Sequence, residues 1–244
     1  MTDLTVRSSS ELATPDAVIA QMAAKLKNNI NVTAPMVSCM RNGKLKLPDD
    51  TMVESLDIVL LDFVYRNQYY PKPFQEGTFN EMECQAIGEG SNDVLVPLDT
   101  AKNKQAESCA ACPKNQYGSH PAGGRGKACQ NQIILAVTDS DWDEDGTPVV
   151  WTVKAQPTAL KQIGTYMLKM TELYGHPIKV VTTLSLDENS QYPKLQSNFS
   201  AMNPLWDKHI TLMEDAKRAL YSGAGGQQST FMHAAPALPE MLGG

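Results

Sequence analysis

A group of cysteines in a polar, glycine-rich stretch is the feature that most constrains this chain. Cys109 and Cys112 form a Cys-x2-Cys pair, and Cys129 follows after a segment with four glycines. A Cys-x2-Cys turn lets two thiolates point at one zinc ion about 2.3 Å away. Such a loop offers little apolar core in which free thiols could be buried. The spacing therefore predicts a structural zinc site rather than disulfides.

A tetrahedral zinc site needs a fourth ligand, and two residues are candidates. Cys84 lies on a predicted strand that leads into the same region, and His120 lies within the loop. Because thiolates suit zinc, we expect Cys84 to complete the site, with His120 as the alternate ligand. Four thiolates leave no open position, so the expected role of Zn²⁺ is structural. Cys39 has no neighbour at ligand spacing and is interpreted as a small buried hydrophobic residue.

Composition indicates a globular protein. The chain has 244 residues, of which 42% are hydrophobic and 20% are charged. No apolar run approaches the roughly 20 residues that a membrane-spanning helix needs, so we expect no membrane partner. The N-terminal segment lacks the basic start, apolar stretch and small-residue cleavage site of a secretory signal. We therefore expect a cytoplasmic protein, in a compartment where disulfides are rare.

The distribution of charge bears on possible partners. A net charge of -6 argues against a nucleic-acid-binding protein, because such proteins use cations to neutralise phosphates. Residues 101–130, however, contain five basic residues against one acidic residue, a local net charge of +4. The segment that holds the cysteines could therefore present a basic surface on an acidic protein.

Alternating apolar residues and turn signals predict a mainly β fold. The strongest strand signal runs from Leu56 to Tyr65, and the turns at 41–44 and 48–50 predict hairpins before it. Further strands are predicted at 83–87, 132–138, 149–154, 178–186 and 192–199, with an acidic hairpin turn at 139–146. Thr158 is the predicted cap of a helix over 159–174, and Gly175 its C-terminal cap.

This element order predicts an α+β fold: an antiparallel barrel like the oligonucleotide-binding (OB) fold, with an inserted zinc loop and peripheral helices. We expect four regions. Residues 1–31 form a loose segment and a helix, 32–200 the barrel with the zinc insertion at about 84–130, 201–222 a C-terminal helix, and 223–244 a disordered tail. Whether the last helix mediates self-association stays open.

Aromatic and basic residues are concentrated after the long strand and around the cysteines. Single-stranded nucleic-acid-binding proteins combine aromatic rings, on which bases stack, with cations that follow the phosphates. Alternatively, individual tyrosines could be half-buried strand residues that cover the barrel ends. The candidate nucleic-acid-binding residues are Tyr65, Arg66, Tyr69, Tyr70, Lys72, Phe74, Lys114, Tyr117, Arg125, Lys127, Trp151 and Lys154.

Two other motifs are rejected as catalytic or ligand sites. The acidic stretch that begins at Asp141 resembles the first half of a calcium-binding EF-hand loop, but Thr152 stands where a bidentate Glu is required. The glycines near Arg125 lack the spacing of a Walker motif, and Ala128 replaces the Ser/Thr that would hold magnesium. We therefore expect no enzymatic activity. A metal-dependent nuclease that uses the acidic turn is a weaker alternative.

The run from Glu107 to Ser119, followed by Gly124 to Cys129, resembles phage-encoded single-stranded DNA-binding proteins with a zinc-binding insertion in an OB fold. The resemblance covers roughly residues 32–200. The cysteines of that family match Cys84, Cys109, Cys112 and Cys129 of this chain. It implies non-specific coating of single-stranded DNA in phage replication or recombination, and replication or recombination proteins as partners. Such proteins often end in an acidic tail, whereas residues 238–244 contain one acid, Glu240.

Two functional hypotheses result from the sequence. The first is a zinc-containing OB-fold protein that binds single-stranded DNA by stacking and phosphate contacts. The alternative is a zinc-stabilised protein-interaction module without nucleic-acid binding, for which the acidic net charge is no obstacle.

Overall fold

One large sheet dominates the structure, a computed structural model that describes residues 34–72, 80–142, 146, 148–190 and 192–222. Within these residues nine strands pair in the order β3-β2-β1-β7-β6-β4-β8-β9, and β5 pairs with β4 off this path. The strands are β1 Met36–Cys39, β2 Leu45–Lys46, β3 Met52–Val53, β4 Ser55–Tyr69, β5 Cys84–Gly88, β6 Cys129–Asp139, β7 Trp151–Ala155, β8 Val180–Leu186 and β9 Leu195–Met202.

Strand β4 organises the sheet. It pairs with β6 on one side from Ile58 to Tyr69, whereas on its other side it pairs first with β8 and then with β5. The predicted strand from Leu56 to Tyr65 is confirmed and extends four residues further. The sheet curls into a half barrel, which confirms the predicted mainly β, barrel-like α+β class.

Helix α1, Leu160–Tyr174, packs on one face of the sheet, called here the α1 face. Its buried residues Ile163, Tyr166, Met167 and Met170 repeat at the predicted helical spacing. Gly175 ends the helix with a φ of 85°, and its N–H donates to Thr171 O over 2.8 Å. The predicted cap at Thr158 is wrong, because the helix begins one residue later, after Ala159, without a side-chain cap.

Helix α3, Met213–Tyr221, covers part of the opposite face, called here the α3 face. Ala216 and Leu220 of α3 pack on Val59, Leu61 and Ile134 of β4 and β6. The predicted single C-terminal helix within 201–222 is interrupted. A short helix α2, Trp206–His209, and a 3-10 turn, Ile210–Leu212, precede α3.

A β-bulge in β4 reverses which residues face each helix. Leu56, Ile58 and Leu60 belong to the α1-face core, but after the register shift between Leu60 and Asp62 the odd-numbered residues occupy that face. Side chains alternate strictly along a strand, so one extra residue moves every later side chain to the other face. The bulge therefore decides the orientation of residues 63–69.

The predicted hairpins β1–β2, β2–β3 and β6–β7 are confirmed as antiparallel pairs. One pairing departs from the expected antiparallel barrel, because β1 lies parallel to β7. The described residues belong to one unit that begins at Ala34. The predicted helix within 1–31, the tail 223–244 and part of the acidic turn lie outside the described residues.

Among the described residues, no helix combines the length and apolar character needed to cross a membrane.

Candidate nucleic-acid interface

Three of the four predicted zinc ligands, Cys84, Cys109 and Cys129, lie near the end of β4 on the α1 face. Tyr69 is the cross-strand partner of both Cys84 on β5 and Cys129 on β6. Directly paired residues of an antiparallel sheet share a face, so the two thiols flank the tyrosine. Cys109 packs on the same region, against Ala86 of β5.

The Cys-x2-Cys segment forms a compact turn. The Cys112 N–H donates to Cys109 O over 3.4 Å, and the Asn115 N–H donates to Cys112 O over 3.0 Å. The Asn115 side chain donates to Cys109 O over 2.9 Å. Cys109 and Cys112 are 5% and 7% exposed, so both thiols are buried although the loop around them is polar.

The thiols influence one another electrostatically. The pKa of Cys129 is raised to about 12, chiefly by burial and also by Cys109, Cys112 and Cys84, while Lys127 acts in the opposite direction. Burial also raises the pKa of Cys109, with a hydrogen bond from Asn67 acting in the opposite direction and Cys84 and Cys112 adding to the rise. A bound cation would stabilise the thiolate forms of Cys109 and Cys129, which burial disfavours.

The alternate ligand His120 has a different environment. Its side chain is exposed, and Nδ1 accepts a hydrogen bond from the Ala122 N–H over 3.2 Å. Within the described residues, no three His, Cys, Asp or Glu side chains are arranged to hold a metal ion as they stand. The chemistry of the four thiols fits zinc, and the zinc site stays a prediction.

A network of buried asparagines joins the cysteine loop to the sheet. The Asn131 amide on β6 donates to Asn67 Oδ1 over 2.6 Å and to Asn115 Oδ1 over 2.9 Å. The Asn67 amide donates to Asn92 O over 2.6 Å. Buried amides that exchange hydrogen bonds in this way fix relative positions, because leaving one unpaired costs about 1–3 kcal/mol. The network therefore holds the loop against β4 and β6.

Two predicted cations of the loop lie over tyrosine rings. Lys114 Nζ is 5.4 Å from the ring centroid of Tyr69, and Lys127 Nζ is 4.9 Å from that of Tyr117. Lys127 also forms an ion pair with Asp93 over 3.4 Å. Tyr117 is 82% exposed, so its free ring face is available for stacking.

Arg66 and Lys154 lie together on the α3 face. Arg66 of β4 pairs with Gln132 of β6. Lys154 of β7 pairs with Ile134, which is two residues further along β6 and on the same face. One guanidinium nitrogen of Arg66 donates to Gln132 Oε1 over 3.4 Å. Arg66 Nε is buried and has no hydrogen-bond partner.

Neither cation is neutralised by an acid among the residues that the structure describes. Within the described residues neither Arg66 nor Lys154 forms an ion pair. Burial lowers the pKa of Lys154, and Arg66 lowers it further. Burial also lowers the pKa of Arg66, while nearby Tyr70 acts in the opposite direction. Two partly buried cations without a carboxylate are unfavourable, and an anion would relieve this.

The remaining predicted residues are placed differently. Tyr65 and Trp151 are half-buried and pack against the α1-face core, in line with the alternative that some aromatics cover the barrel interior. Lys72 and Arg125 are exposed. Phe74 lies outside the described residues. The candidates that lie together therefore form two clusters and not one track: Tyr69, Lys114, Tyr117 and Lys127 near the α1 face, and Arg66 and Lys154 on the α3 face.

Sequence analysis missed the glutamines beside Arg66. Gln68 and Gln130 are a cross-strand pair on the α3 face, and the Gln132 amide donates to Gln130 Oε1 over 3.3 Å. Gln68 and Gln132 are buried, whereas Gln130 is exposed and offers donors and an acceptor that suit contacts with phosphates and base edges. The repeat of Gln at 130 and 132 was a usable signal, since alternate strand residues share a face.

Comparison of this chain with family models, with curated proteins and with solved structures gives no match.

Proposed function

We propose that this protein binds single-stranded DNA without sequence specificity and catalyses no reaction. The observation that carries the proposal is the Arg66–Lys154 pair: two partly buried cations on the α3 face of the sheet, neither of which forms an ion pair among the described residues. The protein has a net charge of -6, yet these two cations form no ion pair with a described acid, so they are suited to bind a phosphate. The bound anion offsets the unfavourable burial of the two charges.

A nucleic-acid strand suits this surface better than a small free anion. Arg66 on β4 and Lys154 on β7 lie on either side of β6, which carries the exposed Gln130 on the same face, so contacts can extend across the sheet. Stacking on aromatic rings needs unpaired bases, which favours single strands over a duplex. The choice of DNA over RNA rests on the resemblance to phage single-stranded DNA-binding proteins.

The curled sheet supports the further proposal that the fold is related to the OB fold. A long strand with a bulge lets a sheet bend towards closure, and β4 has both features. OB folds bind single strands across the face of such a sheet. The Arg66–Lys154 pair lies on a sheet face of this kind.

We propose that zinc has a structural role. Cys84, Cys109, Cys112 and Cys129 would hold it, since Cys109 and Cys112 share one turn and Cys84 and Cys129 lie on either side of Tyr69 at the same end of the sheet. Bound zinc would favour the thiolate forms and fix the loop that carries Lys114 and Tyr117. The asparagine network beneath the loop would orient the ligands.

The proposal is tested by fluorescence anisotropy with a labelled oligo-dT strand at 50 and 200 mM salt. We expect binding at low salt, a marked loss of affinity at high salt because counterions are released, and weaker binding to a duplex of the same length. If the full chain does not bind the oligonucleotide at low salt, the proposed function is wrong.

A protein-interaction module is the second candidate, and one observation favours it. Strand β9 lies at the end of the sheet and contains no charged residue, and Phe199, Met202 and nearby Trp206 are 43%, 52% and 41% exposed. Uncharged edge strands with exposed apolar side chains are prone to pair with other chains. Size-exclusion chromatography with light scattering tests this candidate. A stable oligomer that does not bind oligo-dT would favour it.

A further inference from the structure

Lys154 also lines a cleft together with a further cation, Arg41. The cleft has a volume of about 470 Å³ and lies between β1, the turn that precedes α1, and the connection from β8 to β9. Strands β1 and β9 are well separated in the order of the sheet, so the curl of the sheet brings these segments together. Its volume is within the range of roughly 300–1,000 Å³ that is typical of small-ligand sites.

The lining of the cleft is basic and aromatic. Arg41 and Lys154 contribute the charges, and no Asp or Glu is among the lining residues. Within the described part of the chain, Arg41 forms no ion pair either. Tyr192 lines the same cleft and is 67% exposed, so most of its ring is free for contact with a ligand.

The walls add groups that can make hydrogen bonds. Ser38 of β1, Gln156 and Thr158 line the cleft beside the cations. These groups match the parts of a nucleotide. The two cations suit its phosphate, the aromatic ring suits its flat base, and the uncharged polar groups suit the polar edges of the base. A purely apolar ligand would leave both cations without a partner.

Lys154 joins this cleft to the proposed DNA-binding surface. It faces Arg66 on the α3 face and also lines the cleft. Four consecutive strands of the sheet carry polar residues of this kind: Arg66 on β4, Gln132 on β6, Lys154 on β7 and Ser38 on β1. Polar residues on four neighbouring strands therefore connect Arg66 to the cleft.

We propose that this cleft is a nucleotide subsite of the DNA-binding surface, in which Arg41 and Lys154 bind a backbone phosphate and Tyr192 stacks on the adjacent base. The inference rests on the proposed function and deepens it, since it names two contact residues, Arg41 and Tyr192, that lie far along the chain from the aromatic and basic segments. Tyr192 follows the turn between β8 and β9, and Arg41 lies in the turn between β1 and β2.

The test compares the affinity of Tyr192→Ala, Tyr192→Phe and Arg41→Ala variants of the full chain for labelled oligo-dT, with Lys161→Ala as a control on the exposed side of α1. We expect Tyr192→Ala to bind roughly 5- to 150-fold more weakly, and Tyr192→Phe to bind like the wild type, because stacking needs the ring and not the hydroxyl. In Arg41→Ala, the slope of log affinity against log salt should fall by about 0.7, the value for one phosphate contact of a single strand.

The possible failures are distinguishable. If the wild type binds oligo-dT and both Tyr192→Ala and Arg41→Ala bind equally well, the cleft is not a subsite, while the proposed function stands. If Tyr192→Phe loses as much affinity as Tyr192→Ala, the stacking role is wrong. If the wild type does not bind, the proposed function and the subsite are both wrong. Circular dichroism checks that each variant is folded.

Discussion

Lys154 is a partly buried ammonium group whose pKa is lowered by burial and by the nearby Arg66. A depressed lysine pKa means that the charged form is less stable in the folded protein than in the unfolded chain. The wild type therefore gains stability as the pH rises through the depressed pKa towards the ordinary value of 10.5. At neutral pH the unfavourable charge is fully present.

We expect Lys154→Met to stabilise the protein and to weaken DNA binding. Methionine keeps the apolar stem and removes the charge, so the free energy of unfolding should rise by on the order of 1 kcal/mol, or about 2–4 °C in melting temperature. The salt dependence of oligo-dT binding should weaken at the same time. Thermal melts and anisotropy measure the two effects. Lys161→Met, at an exposed lysine on α1, should change neither, and a Lys154→Met variant that is destabilised would contradict the assignment.

His209 provides a pH-dependent contribution to stability. It is 0% exposed, its Nδ1 lies 3.1 Å from the Asn203 amide nitrogen, and its ring lies 5.3 Å from that of Trp142. The same amide donates to Ile178 O over 2.7 Å, and Asn203 Oδ1 accepts from the Leu205 N–H. The imidazole therefore accepts from Asn203, which requires an unprotonated Nδ1.

Burial lowers the pKa of His209, against the opposing effects of backbone hydrogen bonds and of the Asp139 and Asp207 charges. With a lowered folded pKa, the unfolded chain takes up a proton first, so stability is lost as the pH falls below about 6.5. Between pH 7.5 and 5.5 we expect the wild type to lose about 1 kcal/mol more than His209→Asn, which keeps an acceptor but does not titrate. Urea unfolding at both pH values measures this. Equal losses would show that His209 does not carry the effect.

At the scale of secondary-structure elements, the strands with clear alternation and the tight turns were predictable. The long strand β4 and the hairpins β1–β2 and β6–β7 depend on local preferences, which are visible in the sequence. The parallel pairing of β1 with β7 depends on contacts between distant segments. The same is true of the break in the C-terminal helix, where buried His209 and Leu212 pack before α3 begins.

The bulge after Leu60 explains why the candidate site divided into two clusters. Strict alternation from Leu56 would put Arg66 on the same face as Leu60, and Tyr65 on the other. The register shift reverses both, so Tyr65 packs in the core and Arg66 lies on the α3 face beside Lys154. No residue type near Leu61 demands a bulge. Sequence analysis could therefore identify Tyr65 and Arg66 as candidates but could not predict which face of the sheet each would occupy.

The cysteine loop was predictable as a unit, because the Cys-x2-Cys spacing and the glycines are local signals. What the sequence could not reveal is its support: Asn67, Asn92, Asn115 and Asn131 come from four separate segments and meet only in the folded chain. Likewise, Arg41 and Tyr192 reach one cleft only because the sheet curls.

We expect the purified chain to contain one zinc ion per molecule, and Cys112→Ser to reduce that content. Removal of zinc with a chelator should lower the melting temperature, because a structural metal contributes directly to folding. Cys39→Ser is the matched control, since Cys39 lies among core residues away from the loop. Elemental analysis gives the stoichiometry. A Cys84→Ser variant that retains full zinc content would exclude Cys84 as the fourth ligand and favour His120.

At the scale of the whole molecule, an acidic protein keeps two basic surfaces on opposite faces of one sheet. The cysteine loop presents Lys114 and Tyr117 near the α1 face, and the Arg66–Lys154 pair lies on the α3 face. A single strand of DNA is flexible enough to contact both around the end of β4. The net charge of -6 would repel DNA elsewhere and confine binding to these surfaces.

The most direct test of the DNA-binding proposal is the salt dependence of oligo-dT affinity, measured by anisotropy for the wild type and for the double variant Arg66→Met/Lys154→Met. We predict that the double variant remains folded, binds more weakly at low salt, and has a slope of log affinity against log salt that is smaller in magnitude by about 1.4, the value for two phosphate contacts. A double variant with the same affinity and slope as the wild type, or a wild type that does not bind, would contradict the proposal.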